Sequence, residues 1–146
     1  DIHDLDKKRE FGTHLHRLLS EINDESEIAT QLNKLVQKGI IPEDSKSELL
    51  NKTKELFQNE HFKLYFKAEN VLNEQAIIDK EGNKHIPDKI IGKANEVLVV
   101  DFKTGEQVLE KHQKQVKEYM GLLKDLGYPK VKGEIFYTEG LEVVTV

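Results

Sequence analysis

The 146 residues contain no cysteine. That excludes disulfides, thiolate zinc sites and any iron–sulfur cluster ligated by this chain, and it fits a reducing compartment. Long apolar runs are also missing: none approaches the roughly 20 residues needed to span a bilayer, and no signal peptide is visible. There is no excess of positive charge either. Lys and Arg number 22 against 27 Asp and Glu, a net charge of −5. This argues against a free-standing, tight nucleic-acid binder, unless a basic neighbouring domain delivers the strand. Proline occurs three times: Pro42 starts a helix, Pro129 helps to end one, and Pro87 falls inside a strand run. Repeats, low-complexity tracts and linkers are absent. The chain is long enough to bury a core as one domain without covalent staples. It opens with Asp1 rather than Met, as expected of a piece of a longer protein.

What the chain does have is periodicity. Between Arg9 and Ile22, the residues Phe11, Leu15, Leu18, Leu19 and Ile22 keep helical spacing. A second helix is expected over Glu25 to Lys38, stopped by Gly39, and a third begins at Pro42 with Leu49, Leu50, Leu56 and Phe57 inward. His61 to Phe66 reads equally as a last helical turn or a connector. Strands follow at Asn73 to Ile78, Ile86 to Ile91 and Val97 to Lys103. A long helix spans Gln107 to Leu126, with Leu109, Val116, Tyr119, Met120, Leu123 and Leu126 on its buried side. Gly127-Tyr128-Pro129 ends it, and strands Val131–Tyr137 and Leu141–Val146 close the chain. The order α-α-α-β-β-β-α-β-β predicts an α/β protein: a mixed sheet with helices on both faces, and a parallel crossover through the long helix.

The charges in "IPDKIIGKANEVLVVDFKTG" stand out against this pattern. Val97, Val99, Asp101 and Lys103 share one strand face, and Leu98, Val100 and Phe102 the other. With the turn Gly92–Glu96 centred between Ala94 and Asn95, Asp88 falls directly opposite Asp101, Cβ atoms about 4.5–5.5 Å apart. Pro87 cannot donate to a ladder, so a bulge there would shift this pairing by one. Two carboxylates that close need a cation between them. Lys103 can serve as a plain ion-pair partner, with Thr104-Gly105 an ordinary turn. A hard divalent cation such as Mg²⁺ serves as well, and a metal beside a lysine suits phosphodiester hydrolysis.

Taken with two further stretches, this run resembles the PD-(D/E)XK nucleases, with Asp88 followed by Asp101-Phe102-Lys103 as D-x-K. "GTHLHRLL" (12–19) is similar to the N-terminal helix of the RecB/AddA branch, where a His follows the Gly by four residues, here His16. "QVKEY" (115–119) is similar to that branch's Q-x-x-x-Y element. The matched elements run in the family's order from Gly12 to about Tyr137.

The resemblance implies a restriction-endonuclease-like core, a mixed central β-sheet flanked by helices with an N-terminal helical segment, and one nuclease domain over 1–146. It implies Asp88, Asp101 and Lys103 as catalytic residues. His16, Asp88, Asp101 and the backbone carbonyl of Phe102 are implied as metal ligands, and Gln115, Tyr119 and Glu74 as support or substrate contacts. Mg²⁺ is the implied cofactor, with Mn²⁺ a substitute and no iron–sulfur cluster. The implied setting is the C-terminal part of a bacterial, cytoplasmic helicase–nuclease in double-strand-break repair. Its partners there are a single-stranded DNA end, the motor domains of the same chain and a second helicase–nuclease subunit, with no membrane.

Other readings stay open at this level. His14 lies about 200° around the helix from His16, so both cannot face one metal. Tyr119 also fits core packing, and Gln115 a solvated helix face. His3, His61, His85 and His112 read as ordinary surface or core residues. A nuclease-fold module kept for DNA binding or docking, and a stand-alone restriction, phage or CRISPR-type nuclease, are the rival functions.

Overall fold

The computed structural model describes every residue except Ala68, Glu69 and Ala94, and of Asn70 it describes the backbone. The chain packs as two compact units, Asp1–Lys67 and Ala68–Val146.

The first unit is helical: α1 (Ile2–Glu21), α2 (Ile28–Gln37), α3 (Lys46–Leu56) and α4 (Glu60–Lys67), with single 3₁₀ turns at Glu25–Glu27 and Glu43–Ser45. α1 begins well before Arg9 because Asp1 caps it, its carboxylate accepting from the His3 N–H at 3.1 Å. Leu15, Leu18, Leu19 and Ile22 are buried as their spacing predicts, and so are Leu32, Leu35, Leu49 and Leu56. Leu50 was expected inward but is only half-buried. Thr53 takes an inner position instead, its hydroxyl satisfied by the Leu49 carbonyl at 2.7 Å. The ambiguous stretch His61–Phe66 is helix. The Asn59 side chain accepts from the Phe62 N–H at 2.9 Å, and Phe57, Phe62 and Phe66 stack their rings at 4.8–5.2 Å.

The second unit carries a five-stranded sheet in the order β1 (Asn70–Asn73), β4 (Lys89–Lys93), β5 (Glu96–Lys103), β6 (Lys130–Tyr137), β7 (Glu142–Thr145). β5 and β6 are parallel and the other pairs antiparallel. The fold is thus a helical segment followed by a mixed central sheet with flanking helix, the restriction-endonuclease-like α/β arrangement. The β5–β6 crossover is α5 (Leu109–Asp125), and α5 packs on both of those strands. Among the described residues no helix is long and apolar enough to cross a membrane.

Two strand boundaries differ from expectation. The first strand does not run from Asn73 to Ile78. It ends at Asn73, the chain turns at Glu74 in the left-handed region (φ 46°), and Ile77–Ile78 (β2) pairs instead with Lys84–His85 (β3) as a separate small hairpin. Ile86 and Pro87 precede β4 rather than opening it, so Pro87 sits where it breaks no ladder. β4 runs on to Lys93 and β5 begins at Glu96, and Ala94 of the expected turn lies outside the described residues. The register is the expected one: Lys89 pairs with Val100, Ile90 with Val99 and Gly92 with Val97.

Alternation along β5 then sorts the faces. Val97 and Val99 pack with Ile90, Val131, Tyr119 and Leu123 beneath α5. Val100, Phe102, Ile91 and Phe136, on the opposite face, are buried as well. Leu109 and Leu126, expected on the buried side of α5, lie at its two ends and are exposed. Gly133 of β6 sits under α5, where a Cβ would stand 2.6 Å from the Met120 Sδ and 2.7 Å from the Val116 Cγ1. Only a residue without a side chain lets the helix come this close.

Candidate metal and catalytic site

β4 and β5 run apolar until their shared end, and there the charges collect. Asp88 stands one residue before β4, and its Oδ2 accepts the Phe102 N–H at 2.7 Å. That bond carries the hairpin register one step past Lys89–Val100 and brings Asp88 level with the end of β5. Asp101 is 3% exposed and Asp88 9%. Carboxylates this buried are found only where something compensates their charge.

Lys103 is the visible compensation. Its ammonium lies 2.7 Å from Asp101 Oδ2 and donates to the Gln115 Oε1 at 2.7 Å. The contact with Asp101 is an ion pair to a carboxylate oxygen that is itself sealed from solvent. A second buried lysine, Lys89, acts electrostatically on Asp88. Burial first, then the charge of Asp88, outweigh Lys103 and push the Asp101 carboxyl up to about 7.

The α5 face completes the cluster. Gln115 and Tyr119 lie one helical turn apart. The Gln115 amide holds Lys103 with its oxygen and donates through Nε2 to the Tyr119 hydroxyl at 3.1 Å. Burial, followed by the charges of Asp101 and Asp88, raises the Tyr119 phenol to about 12, so it stays protonated. Tyr119 is both things its sequence allowed: its ring belongs to the core and its hydroxyl joins the polar row.

Backbone bonds hold the lysine from behind. The Lys103 carbonyl accepts from the Thr138 N–H at 2.9 Å and the Thr138 hydroxyl at 3.3 Å, and Thr138 is fully buried. Lys103 therefore turns its backbone groups toward β6, and Phe102 turns its own toward Asp88. A strand residue sends its N–H and C=O to the same edge, so the Phe102 carbonyl lies on the Asp88 side.

Glu74 comes from the other edge of the sheet. Lys89 Nζ donates to Asn73 Oδ1 at 2.7 Å across the β1–β4 pair, and the Glu74 N–H donates to the Asp88 carbonyl at 3.0 Å. Glu74 was expected to open a strand. It follows one instead, and its left-handed turn is the kind of local strain that concentrates at functional sites. Carboxylate oxygens of Glu74 and Asp88 lie within 4.8 Å of each other. Such a pair, with the buried Asp101 carboxylate nearby in the register, has the hard-oxygen chemistry that can coordinate a divalent cation. His16 lies on α1 in the first unit, half-buried, as does His14.

The sequence reading missed one neighbour of this row. His112 precedes Tyr119 by seven residues, two turns along α5, and its Nδ1 lies 2.8 Å from the Tyr137 hydroxyl. Its place on the Gln115–Tyr119 side was legible from spacing alone.

No family model matches this chain. Among curated proteins it is similar to an ATP-dependent helicase/nuclease subunit of Clostridioides difficile (strain 630), 23% identical over 171 aligned positions that cover 91% of this chain and 13% of that protein. The chain therefore spans only about 13% of the length of the curated relative it matches. The similarity links it, at a distance, to the RecB/AddA nucleases in general and to no narrower group. With carboxylates able to take a divalent metal, the chain is a possible metal-binding, nuclease-like module.

Proposed function

We propose that this chain is the metal-dependent deoxyribonuclease domain of a bacterial helicase–nuclease. In this reading residues 1–146 act as one nuclease domain in the C-terminal part of a longer cytoplasmic protein. The observation that carries it is the convergence of Asp88, Asp101 and Lys103 at the end of one hairpin, with Lys103 held between Asp101 and Gln115. The relative's description as a helicase/nuclease subunit supports the link to a motor. Motor domains of the same chain and a second helicase–nuclease subunit would supply single-stranded DNA during double-strand-break repair, so a net charge of −5 is no obstacle.

The donor set assigned to Mg²⁺, or Mn²⁺ in its place, is Asp88, Asp101 and the Phe102 carbonyl, with His16 as the resemblance implies and Glu74 in support. The burial of the Asp101 carboxylate beside Asp88, where the two charges repel, suits that assignment. When bound, the ion supplies Lewis-acid activation of water and phosphate. The protein's own part is positional. Lys103, fixed through its carbonyl by Thr138 and through its ammonium by Asp101 and Gln115, keeps a donor for the attacking water and offsets charge developing on the phosphate. Gln115 holds that lysine, the Tyr119 hydroxyl holds Gln115, and both line the path of the strand.

The test is a labelled single-stranded oligonucleotide incubated with the domain and Mg²⁺ or Mn²⁺, beside Lys103→Ala and an EDTA control. Metal-dependent cleavage is expected, reduced about 10²-fold or more in Lys103→Ala, as for loss of a donor that offsets charge developing in the transition state. If the wild type does not cleave, and titration calorimetry shows no Mn²⁺ binding that depends on Asp88 and Asp101, the nuclease reading gives way to a docking or DNA-binding module.

A further inference from the structure

The His112–Tyr137 pair is left over once the metal and lysine residues have been assigned. Tyr137 ends β6, pairs in register with Lys103 and is 1% exposed. Both side chains face α5, because residues paired across neighbouring strands project to the same side. The Tyr137 hydroxyl meets His112 Nδ1 at 2.8 Å, and the rings lie 5.6 Å apart at 42°. A buried hydroxyl whose proton has no acceptor costs a full desolvation penalty. Among the described residues, His112 Nδ1 is the acceptor within reach. The proton on Tyr137 therefore goes to Nδ1, and the neutral imidazole carries its own proton on Nε2.

The surroundings of His112 favour an anion. Lys103 and Lys111 both act on it electrostatically, and after burial they are what lowers its affinity for a proton. It lies half-buried in the first turn of α5, on the row of Gln115 and Tyr119. A neutral N–H donor in the field of two cations suits a negatively charged oxygen. The chemistry available here, beside a lysine assigned to phosphodiester hydrolysis, is that of a backbone phosphate.

We propose that His112, held in one tautomer by Tyr137, is a further substrate-binding residue of this site, donating from Nε2–H to a phosphate oxygen of the strand being cleaved. This rests on the nuclease reading. The alternative role for the pair is a structural tie between α5 and β6, and conservative variants separate the two. Asparagine places its amide near the position of Nδ1 and can keep the bond to Tyr137. Glutamine reaches the position of Nε2.

The experiment measures KM and kcat for a labelled oligonucleotide with Mn²⁺, in the wild type, His112→Asn, His112→Gln and His112→Ala, with a melting curve for each. His112→Asn and His112→Ala are expected to raise KM about tenfold, the effect of losing one hydrogen bond to a charged group. The loss should fall on KM rather than kcat, and His112→Gln should restore much of it. Nitrogen NMR of the free protein should find His112 protonated on Nε2. An unchanged KM in His112→Asn, or an Nδ1-protonated ring, overturns the proposal while leaving the nuclease reading intact. A loss in every variant that tracks a lowered melting temperature assigns the pair to structure alone. A wild type that neither cleaves nor binds Mn²⁺ through Asp88 and Asp101 removes the nuclease reading and this inference with it.

Discussion

Substituting Gly133 by alanine tests how closely α5 must approach the sheet for the site to form. The added Cβ would stand 2.6 Å from Met120 Sδ, 2.7 Å from Val116 Cγ1 and 3.3 Å from Met120 Cγ. Ordinary carbon contacts begin near 3.5 Å, so the deficit is about 0.8 Å. Met120 is flexible and can swing away. Val116 cannot: it is fully buried, and a β-branched residue in a helix has essentially one rotamer. The helix itself has to move. Overpacking of this kind costs about 1–3 kcal/mol, while replacing glycine at an ordinary φ returns roughly 0.4–1 kcal/mol through the unfolded chain. A net loss of about 1–2 kcal/mol remains, or roughly 3–6 °C in a domain of this size. The displacement also reaches chemistry, because Gln115 adjoins Val116. A shift of about 0.8 Å takes its 2.7 Å bond with Lys103 past hydrogen-bonding distance. Melting by circular dichroism, alongside oligonucleotide cleavage, reads both effects. Val116→Ala combined with Gly133→Ala should recover about 1 kcal/mol relative to additivity. A Gly133→Ala protein that melts within a degree of wild type, or strictly additive changes in the double variant, refutes the packing argument.

Two more outcomes follow from the charges. Asp101→Asn removes a buried carboxylate that its surroundings disfavour, so the metal-free variant should melt no lower than wild type at pH 7.5 while losing Mn²⁺ affinity; a drop of several degrees in differential scanning calorimetry would mean that the Lys103 ion pair outweighs burial and Asp88. In the β2–β3 hairpin, Asp79 binds the His85 Nε2 at 2.9 Å and the Glu81 and Asn83 N–H groups. The His85 bond above all holds its carboxyl down at about 2. A depressed carboxyl stabilises the fold above its unfolded pKa, near 3.8, and that contribution disappears as pH falls from about 4 through 2. Carbon NMR titration of the Asp79 carboxyl checks this, and a midpoint near 3.8 would refute the hairpin lock.

Much of this protein was legible in the linear chain, for a physical reason. Helical and strand periods are local, so the positions of α1, β5, β6 and α5 follow from the recurrence of residues such as Leu15, Val99, Ile135 and Val116. The hairpin register follows from one short turn, which is why the convergence of Asp88 and Asp101 is legible in the order of residues. Boundaries were less legible where a single cap or kink decides them. Asp1 lengthens α1 through one hydrogen bond, and Glu74 ends β1 by entering the left-handed region.

Contacts between distant segments lay beyond sequence reading. Nothing local announces that Thr138 grips the Lys103 carbonyl, that Gly133 admits α5, that Lys89 reaches Asn73, or that His112 meets Tyr137. The residue types and their periods by themselves determined which side chains could share a face. Only the packing of α5 onto β5 and β6 decided which of them touch, because that depends on sub-ångström fit between elements far apart in the chain.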